Sequence, residues 1–392
     1  MNKKVFLGGV ITGVVSSVVA IGGINFTVNA AAFKGGKMSM NDKMKYISSL
    51  IDQYYVDDYD TNNLEEGVYK GLVSGLNDPY STYFTKEEME SFMQSTNGSF
   101  YGIGVTIQQN KENGRILIVG INEESPAQKA GMKVGDEIYK VNGQDITTME
   151  FESAVELIRG EKGTTVDLTV KRDGKDVEMN VERAEIDVDS VASKVLDGNI
   201  GYIYISGFKN NTYDQFKKQY DDLMAKNVKG LIIDVRDNPG GVLGIVEKMA
   251  DMLIPEGNVV YTIDKNGNRQ DYKSDANCIN IPLAVLVNGN SASASEILAG
   301  AVQDSKTGVL VGTQTFGKGC VQNLYKIPDG SGVKITIQKY YTPNGVCIQG
   351  TGITPDYIVD DNTDYANVLL IPQGEDAQLD KAIEVINEKT AE

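Results

Sequence analysis

The sequence predicts a mixed α+β protein in which several folded blocks follow an N-terminal membrane segment. The chain has 392 residues, of which 41% are apolar, and this is enough for two or three hydrophobic cores. Short alternating segments in the middle of the chain indicate strands, and from Asn199 onward strand and helix patterns alternate. The predicted blocks are a membrane segment at 1–33, a helical region at 38–98, a strand-rich domain at 99–185, an α/β core at 186–365 and a C-terminal helical tail at 366–392.

The N-terminal segment has the pattern of a signal anchor. Lys3 and Lys4 precede an uncharged stretch from Val5 to Phe33, which as a helix can span the roughly 30 Å hydrocarbon layer. The two lysines orient the N-terminus toward the cytoplasm. We therefore expect a single-pass cell-membrane protein whose remainder is extracytoplasmic. The small residues at 29–32 leave secretion after signal cleavage as an alternative.

The region at 38–98 predicts a small helical element. Apolar residues recur at helical spacing in residues 40–57 and 62–76, and a turn with the sequence NDPYSTYF follows. A new helix is expected to start at Thr85, with Glu87 and Glu88 in its first turn. These patterns favour packing or oligomerisation over chemistry.

Composition excludes several classes of function. The chain has no histidine, which excludes Ser-His-Asp triads, Cys-His dyads and His-ligated metal sites. Its net charge of −17 argues against nucleic-acid binding. The three cysteines are too few and too far apart for a zinc cluster, and their odd number does not indicate a disulfide framework. We expect no metal and no cofactor, and acid–base chemistry from Asp, Glu, Lys or Tyr.

A glycine loop and the run that follows it indicate a peptide-binding domain. The run ESPAQKAGMKVGDEIYKVNGQDI at 124–146 follows the loop of Gly102, Ile103, Gly104 and Val105. Together they resemble a PDZ domain in its circularly permuted bacterial form. The loop's backbone N–H groups can hold a peptide carboxylate, beside a strand edge that accepts an extended chain.

A second signal combines a serine cluster with a lysine. Residues 287–296 read VNGNSASASE, and a hydroxyl at the start of the following helix would lie near free backbone donors that stabilise an oxyanion. Ser293 and Glu296 also have the spacing of a capping box, so this segment alone leaves both interpretations open. Lys318, flanked by Phe316 and several glycines, is a candidate base, because burial can lower a lysine pKa toward about 7 to 8. Gln322 is expected one helical turn beyond it.

From the end of the anchor onward, the chain resembles the C-terminal processing peptidases, a PDZ-containing family of serine proteases classed as S41. The resemblance implies Ser293 as nucleophile, Lys318 as general base and Gln322 as the residue that orients the lysine. It also places the turn at 234–241 over the site, where Gly241, or alternatively Gly240, joins Ala294 in an oxyanion hole. Cys320 stands where the family typically has a small hydroxyl residue.

Supporting and coupling roles follow from the same resemblance. Asp234, Arg236 and Glu296 are expected to brace the site. Arg159 lies at the end of the last PDZ helix and is expected either to couple the PDZ domain to the catalytic body or to be an ordinary helix end closed by Gly160.

The sequence therefore predicts an anchored serine endopeptidase that recognises the C-terminal tails of protein substrates and cleaves through an acyl-enzyme. The alternatives are a non-catalytic PDZ scaffold with a degenerate protease domain, and a Ser-Lys amidase for small amides. The resemblance implies a homodimer, with the amphipathic segments near 40–55 and 376–388 as its apolar surfaces.

Overall fold

The computed structural model describes residues 38–111, 113–360, 371 and 374–391. The described helices are α1 (Met40–Tyr54), α2 (Thr61–Ser74), α3 (Lys86–Asn97), α4 (Pro126–Lys129), α5 (Phe151–Ile158), α6 (Thr212–Ala225), α7 (Leu243–Asp251), α8 (Ala294–Ser305) and α9 (Ala377–Ala391). The strands are β1 (Thr82–Phe84), β2 (Ser99–Gly102), β3 (Val105–Gln109), β4 (Ile116–Ile121), β5 (Glu137–Val141), β6 (Gln144–Asp145), β7 (Thr165–Arg172), β8 (Lys175–Glu182), β9 (Ala184–Asp187), β10 (Val191–Leu196), β11 (Ile200–Ile205), β12 (Gly230–Asp234), β13 (Gly257–Asp264), β14 (Arg269–Ser274), β15 (Leu283–Val287), β16 (Gly308–Gly312), β17 (Cys320–Lys326), β18 (Gly332–Tyr341) and β19 (Tyr357–Ile358).

The chain divides into two compact units, Met1–Glu65 and Glu66–Glu392. In the first unit, α1 begins after Ser39, whose hydroxyl accepts a hydrogen bond from the amide of Asp42 at 3.2 Å and so satisfies one of the helix's free donors. The apolar side of α1 carries exposed side chains, including Ile47 at 47%. The second unit contains the remaining elements, from the body of α2 onward.

The strand-rich domain expected at 99–185 is built on an antiparallel sheet in the order β3-β4-β5-β7-β8, with β6 paired to β5. Its inward residues, among them Ile118, Ile138 and Leu168, are fully buried. Among the described strands, β3 pairs with β4 alone, so its outer edge is available to an added strand. Strand β2, just before the glycine loop, pairs instead with β9.

The α/β core is a six-stranded sheet in the order β10-β11-β12-β15-β16-β19. Strands β10 and β11 are antiparallel and the other neighbours are parallel. Ile233 and Val285 face the cluster formed with α6, α7 and α8, whereas Ile232 and Leu286 face α9 on the other side. The core therefore has three layers, and the loops that follow β12 and β15 leave the same edge of the sheet.

A second antiparallel sheet differs from the predicted strand–helix alternation. Strand β18 pairs with β1, β13 and β17, and β13 also pairs with β14. Strand β13, expected in the main sheet, lies here instead, paired with β14, the next strand along the chain, and with the distant strand β18. The segment after Lys318 is also a strand, so the prediction that Gln322 lies one helical turn beyond the lysine is wrong.

Other predictions have mixed outcomes. The helix after Thr85 begins with a capping box in which Thr85 and Glu88 exchange hydrogen bonds. The apolar side of α9 is buried within the same chain, at residues such as Leu379 and Ile386, so this helix does not offer the expected dimer surface. The predicted membrane segment at 1–33 lies outside the described residues. None of the helices in the described ranges combines the length and the apolar content needed to span a bilayer.

Candidate active site

Ser291, Ser293 and Ser295 differ in burial and in the hydrogen bonds of their hydroxyls. Ser291 and Ser295 are fully buried, and their hydroxyls donate to the carbonyls of Val235 and Asn238, each at 2.8 Å. Ser291, just before α8, and Ser295, in the first turn of α8, therefore both bind the loop after β12. Ser293 is partly exposed, so it is the hydroxyl of the three that a substrate can reach.

Ser293 stands at a strained turn between β15 and α8. Its backbone has φ 56° and ψ −112°, a conformation that a residue with a side chain rarely adopts. Such strain is stored at functional sites when the surroundings enforce it. Here the enforcing contacts include the hydroxyl of buried Tyr340, which donates to the carbonyl of Ser293 at 3.1 Å.

Glu296 joins the serine turn to the lysine loop. Its fully buried carboxylate accepts four hydrogen bonds: from the amides of Ser293 (2.8 Å), Gly317 (2.8 Å) and Lys318 (2.9 Å) and from the hydroxyl of Thr315 (2.6 Å). The amides of Ser293 and Lys318 share one oxygen, Oε2. The amide nitrogens of Ser293 and Lys318 therefore lie no farther apart than the sum of their two distances to that oxygen. Glu296 thus holds the serine turn and the lysine loop together.

Lys318 occupies a partly desolvated position. Burial lowers the pKa of its amine, while Cys320, Asp78 and Glu296 act in the opposite direction. The Nζ atom lies 4.7 Å from the centre of the Tyr80 ring. Phe316, its expected shield, is 55% exposed.

Gln322 makes contacts other than the expected one with Lys318. Its Nε2 donates to Cys320 Sγ at 3.2 Å and to Thr336 Oγ1 at 3.2 Å. A register shift in the pairing of β17 with β18 occurs between Val321 and Gln322. Cys320 therefore stands between the amide and the lysine loop, and orientation of Lys318 by Gln322 stays a prediction.

The loop after β12 approaches the serine closely. Gly240 has φ +102°, and a Cβ there would lie 2.8 Å from Ser293 Cβ and 2.9 Å from the amide nitrogen of Ala294, so only glycine fits. Its own N–H donates to Asn238 Oδ1 at 2.8 Å. Within the described residues, the N–H groups of Gly241 and Ala294 have no acceptor, which leaves these two as candidate oxyanion donors.

Below this loop, Arg236 binds carboxylates from two elements. Its guanidinium donates to Asp234 Oδ2 at 2.6 Å and to Asp376 Oδ2 at 2.7 Å, and all three side chains are fully buried. Tyr202 adds a bond to Asp234 at 2.7 Å. Asp376 also accepts from the amide of Leu379 at 2.9 Å in the first turn of α9. Asp234 and Arg236 thus form a buried network in which α9 takes part, and their role in bracing the site stays a prediction.

The PDZ loop has free donors where a carboxylate would bind. Gly104 has φ +77°, and a Cβ there would lie 2.5 Å from Ser125 Cβ. The carbonyl of Ile103 accepts from Ala127 N at 2.9 Å and that of Gly104 from Asn122 N at 3.0 Å. No acceptor in the described part of the chain binds the amides of Ile103 or Gly104. Gly102 is the last residue of β2, and Val105 is the first residue of β3.

Arg159 follows α5, and its guanidinium lies 5.1 Å from the centre of the Phe100 ring. The last carbonyls of that helix are bound instead by buried Arg183, which donates to Leu157 and Ile158 at 2.9 Å each. The helix end is therefore capped by Arg183, and the coupling role of Arg159 stays a prediction.

Sequence reasoning missed several residues around the site. Asn238 and Tyr340 hold the serine turn from two sides, and Asp78 and Tyr80 approach the lysine from the turn before β1. That turn was visible in the sequence as NDPYSTYF. The strand that this turn contacts, β18, is more than two hundred residues away, and no local pattern indicates such a pairing.

A strained serine at a helix start, a partly desolvated lysine in the loop that Glu296 joins to the serine turn, and a strand-rich domain with a glycine loop define the class of PDZ-containing serine peptidases. Three family models match: Peptidase family S41 at residues 199–359, PDZ domain at 91–171 and Activating protease CtpB N-terminal domain at 25–88. The chain belongs to peptidase family S41, among its carboxy-terminal processing proteases.

Two curated relatives come from Bacillus subtilis (strain 168). The chain is 36% identical over 373 residues to the carboxy-terminal processing protease CtpA, covering 93% of this chain and 78% of that protein. It is 39% identical over 321 residues to CtpB, covering 80% of this chain and 66% of that protein. A solved structure, the photosystem II D1 C-terminal processing protease, is 28% identical with a TM-score of 0.48, covering 81% of this chain and 86% of that one.

Proposed function

We propose that this protein is a serine endopeptidase that cleaves protein substrates by a Ser-Lys mechanism. Ser293 attacks the scissile carbonyl, and neutral Lys318 accepts its proton. The N–H groups of Gly241 and Ala294 stabilise the oxyanion. As the intermediate collapses to the acyl ester, the C–N bond breaks and protonated Lys318 gives its proton to the departing amine. Water then hydrolyses the ester and frees Ser293. The observation that carries this proposal is the difference between the three serines. The hydroxyls of Ser291 and Ser295 are hydrogen-bonded to the loop after β12, whereas Ser293 has a strained backbone and is partly exposed.

The PDZ domain selects substrates by their C-terminal tails. The unoccupied amides of Ile103 and Gly104 offer donors to a terminal carboxylate, and the open edge of β3 can extend the bound peptide as an added strand. This arrangement favours a protein substrate over a small amide.

Labelling with a serine-directed phosphonate tests the function against the scaffold alternative. We expect one covalent adduct per chain, which peptide mass spectrometry assigns to Ser293, because only an activated hydroxyl reacts rapidly. Denatured protein is the control and should not react. A folded protein that hydrolyses no peptide bond and takes up no label would be a scaffold.

For location, we propose a single-pass membrane anchor at 1–33 with the catalytic unit extracytoplasmic. The uncharged stretch after Lys3 and Lys4 supports it. Secretion after cleavage near 29–32 is the alternative, and the mass of the mature N-terminus distinguishes the two.

We also propose a homodimer formed through α1. Met40, Ile47 and Tyr54 are 58%, 47% and 59% exposed, which is unusual for apolar side chains of one short helix. A chain that begins at Gly36 is expected to sediment as a dimer at micromolar concentration, and Ile47→Asp should weaken it because it places a charge in the contact. Val195→Asp, at another exposed apolar residue, is the matched control. A monomeric parent chain would refute this interface.

A further inference from the structure

The turn between α2 and β1 is fixed by hydrogen bonds of its own. Asp78 Oδ1 accepts from the amide of Tyr80 at 3.1 Å, and Oδ2 accepts from the hydroxyl of Ser81 at 2.6 Å. These bonds are those of an aspartate-led turn. They hold Asp78 and the Tyr80 backbone in a single arrangement.

The same turn is attached to the sheet that carries the lysine loop. Ser81 Oγ accepts from the amide of Thr336 at 3.0 Å, and β1 pairs with β18 from Thr82 opposite Lys334. Thr336 also accepts from Gln322, on β17. Asp78 and Tyr80 are therefore held against the catalytic core.

Both side chains act on the Lys318 amine. The Tyr80 ring is 4.7 Å from Nζ, within the range at which an aromatic face stabilises an ammonium. The Asp78 carboxylate favours the same charged form.

The other charged or titratable groups that act on Lys318 come from three further elements. Glu296 of α8 and Cys320 of β17 raise its pKa. Lys334 of β18 is a like charge whose own pKa is lowered by burial and by Lys318. Glu296 has its carboxylate engaged by four donors. Asp78 and Tyr80 are therefore the groups by which the turn before β1 acts on the Lys318 amine, in addition to the groups of the core.

We propose that Asp78 and Tyr80 are positioning residues for Lys318: they hold the ammonium form in place, so that the turn before β1 controls how much of the lysine is available as a base. This role rests on the proposed function of Lys318. It assigns a part in the reaction to the N-terminal helical region, for which the sequence patterns favoured packing or oligomerisation over chemistry.

The test measures the ionisation of Lys318 directly. The rate of acetylation of its amine by acetic anhydride, followed by peptide mass spectrometry against pH, gives a midpoint that does not depend on peptidase activity. In Tyr80→Leu, which keeps apolar bulk, and in Asp78→Asn, which keeps the turn oxygen, we expect this midpoint to fall by about half a pH unit. The acid limb of kcat/KM should move in the same direction, so the rate at a pH below the limb rises about threefold.

Two variants serve as matched controls. Tyr80→Phe keeps the ring and should leave the midpoint unchanged. Asp329→Asn alters an aspartate that makes the same kind of turn bonds, to Ser331 at 2.9 and 2.6 Å, and should also leave it unchanged. A thermal melt confirms that each variant is folded.

An acetylation midpoint equal to that of the parent, or higher, in both Tyr80→Leu and Asp78→Asn would overturn the proposal. Failure of the proposed function would be a separate result. Full peptidase activity in Lys318→Ala would show that Lys318 is not the general base, whatever the acetylation midpoint of Lys318 in the other variants.

Discussion

Replacement of Ser293 by alanine is expected to lower kcat/KM for an unstructured protein by about a thousandfold or more, because no ester can form without the hydroxyl. The fold should persist, since the side chain is partly exposed and alanine keeps the Cβ atom. The rate of cleavage, measured against a melting curve of the same sample, checks both expectations.

Ser291→Ala and Ser295→Ala are the matched controls. Each removes a buried hydrogen bond to the loop after β12 and should cost about 1 to 3 kcal/mol of unfolding free energy while the nucleophile remains. Cleavage that survives in Ser293→Ala but disappears in Ser295→Ala would identify the other hydroxyl as the nucleophile.

The second large effect is expected at Lys318. Alanine there should lower kcat by about a hundredfold to ten-thousandfold, the usual contribution of a positioned base. Arginine should not restore activity, because its guanidinium stays protonated. Single-turnover acylation of a peptide ester measures the step directly.

The pH dependence follows from the direction of the lysine shift. Burial lowers the pKa of Lys318, and only the neutral amine accepts a proton. The rate should therefore be low in acid, rise through one ionisation below the ordinary lysine pKa of about 10.4 and stay high in mild alkali. A profile flat from about pH 5 to 9, or an active Lys318→Arg enzyme, would contradict this assignment, since no histidine is present to supply another base.

Local patterns predicted what depends on neighbouring residues. The alternation from Asn199 gave the strands and helices of the main sheet, and the capping signal at Thr85 gave a helix start. The segment before α8 was predicted to join a strand to a helix, and Ser293 lies at that junction.

Contacts between distant segments could not be predicted in the same way. Strand β1 pairs with β18, and nothing in either short segment specifies the other. The register shift beside Gln322 directs its amide to Cys320, a result of pairing geometry. The choice between Gly240 and Gly241 also depends on whether Asn238 already binds an N–H, and two adjacent glycines look alike in a sequence.

The burial of Asp376 beside Arg236 has a consequence for the protein's own stability toward proteolysis. Helix α9 follows Asp376 directly, and its carboxylate helps neutralise a guanidinium that lies just before the glycine loop. Replacement of Asp376 by alanine would take one carboxylate from a guanidinium that stays buried, at a cost of several kcal/mol. Under the proposed peptidase function, the Arg236–Asp376 bond therefore links the docking of α9 to the loop that carries Gly240 and Gly241, and an undocked α9 would be open to cleavage by the enzyme itself.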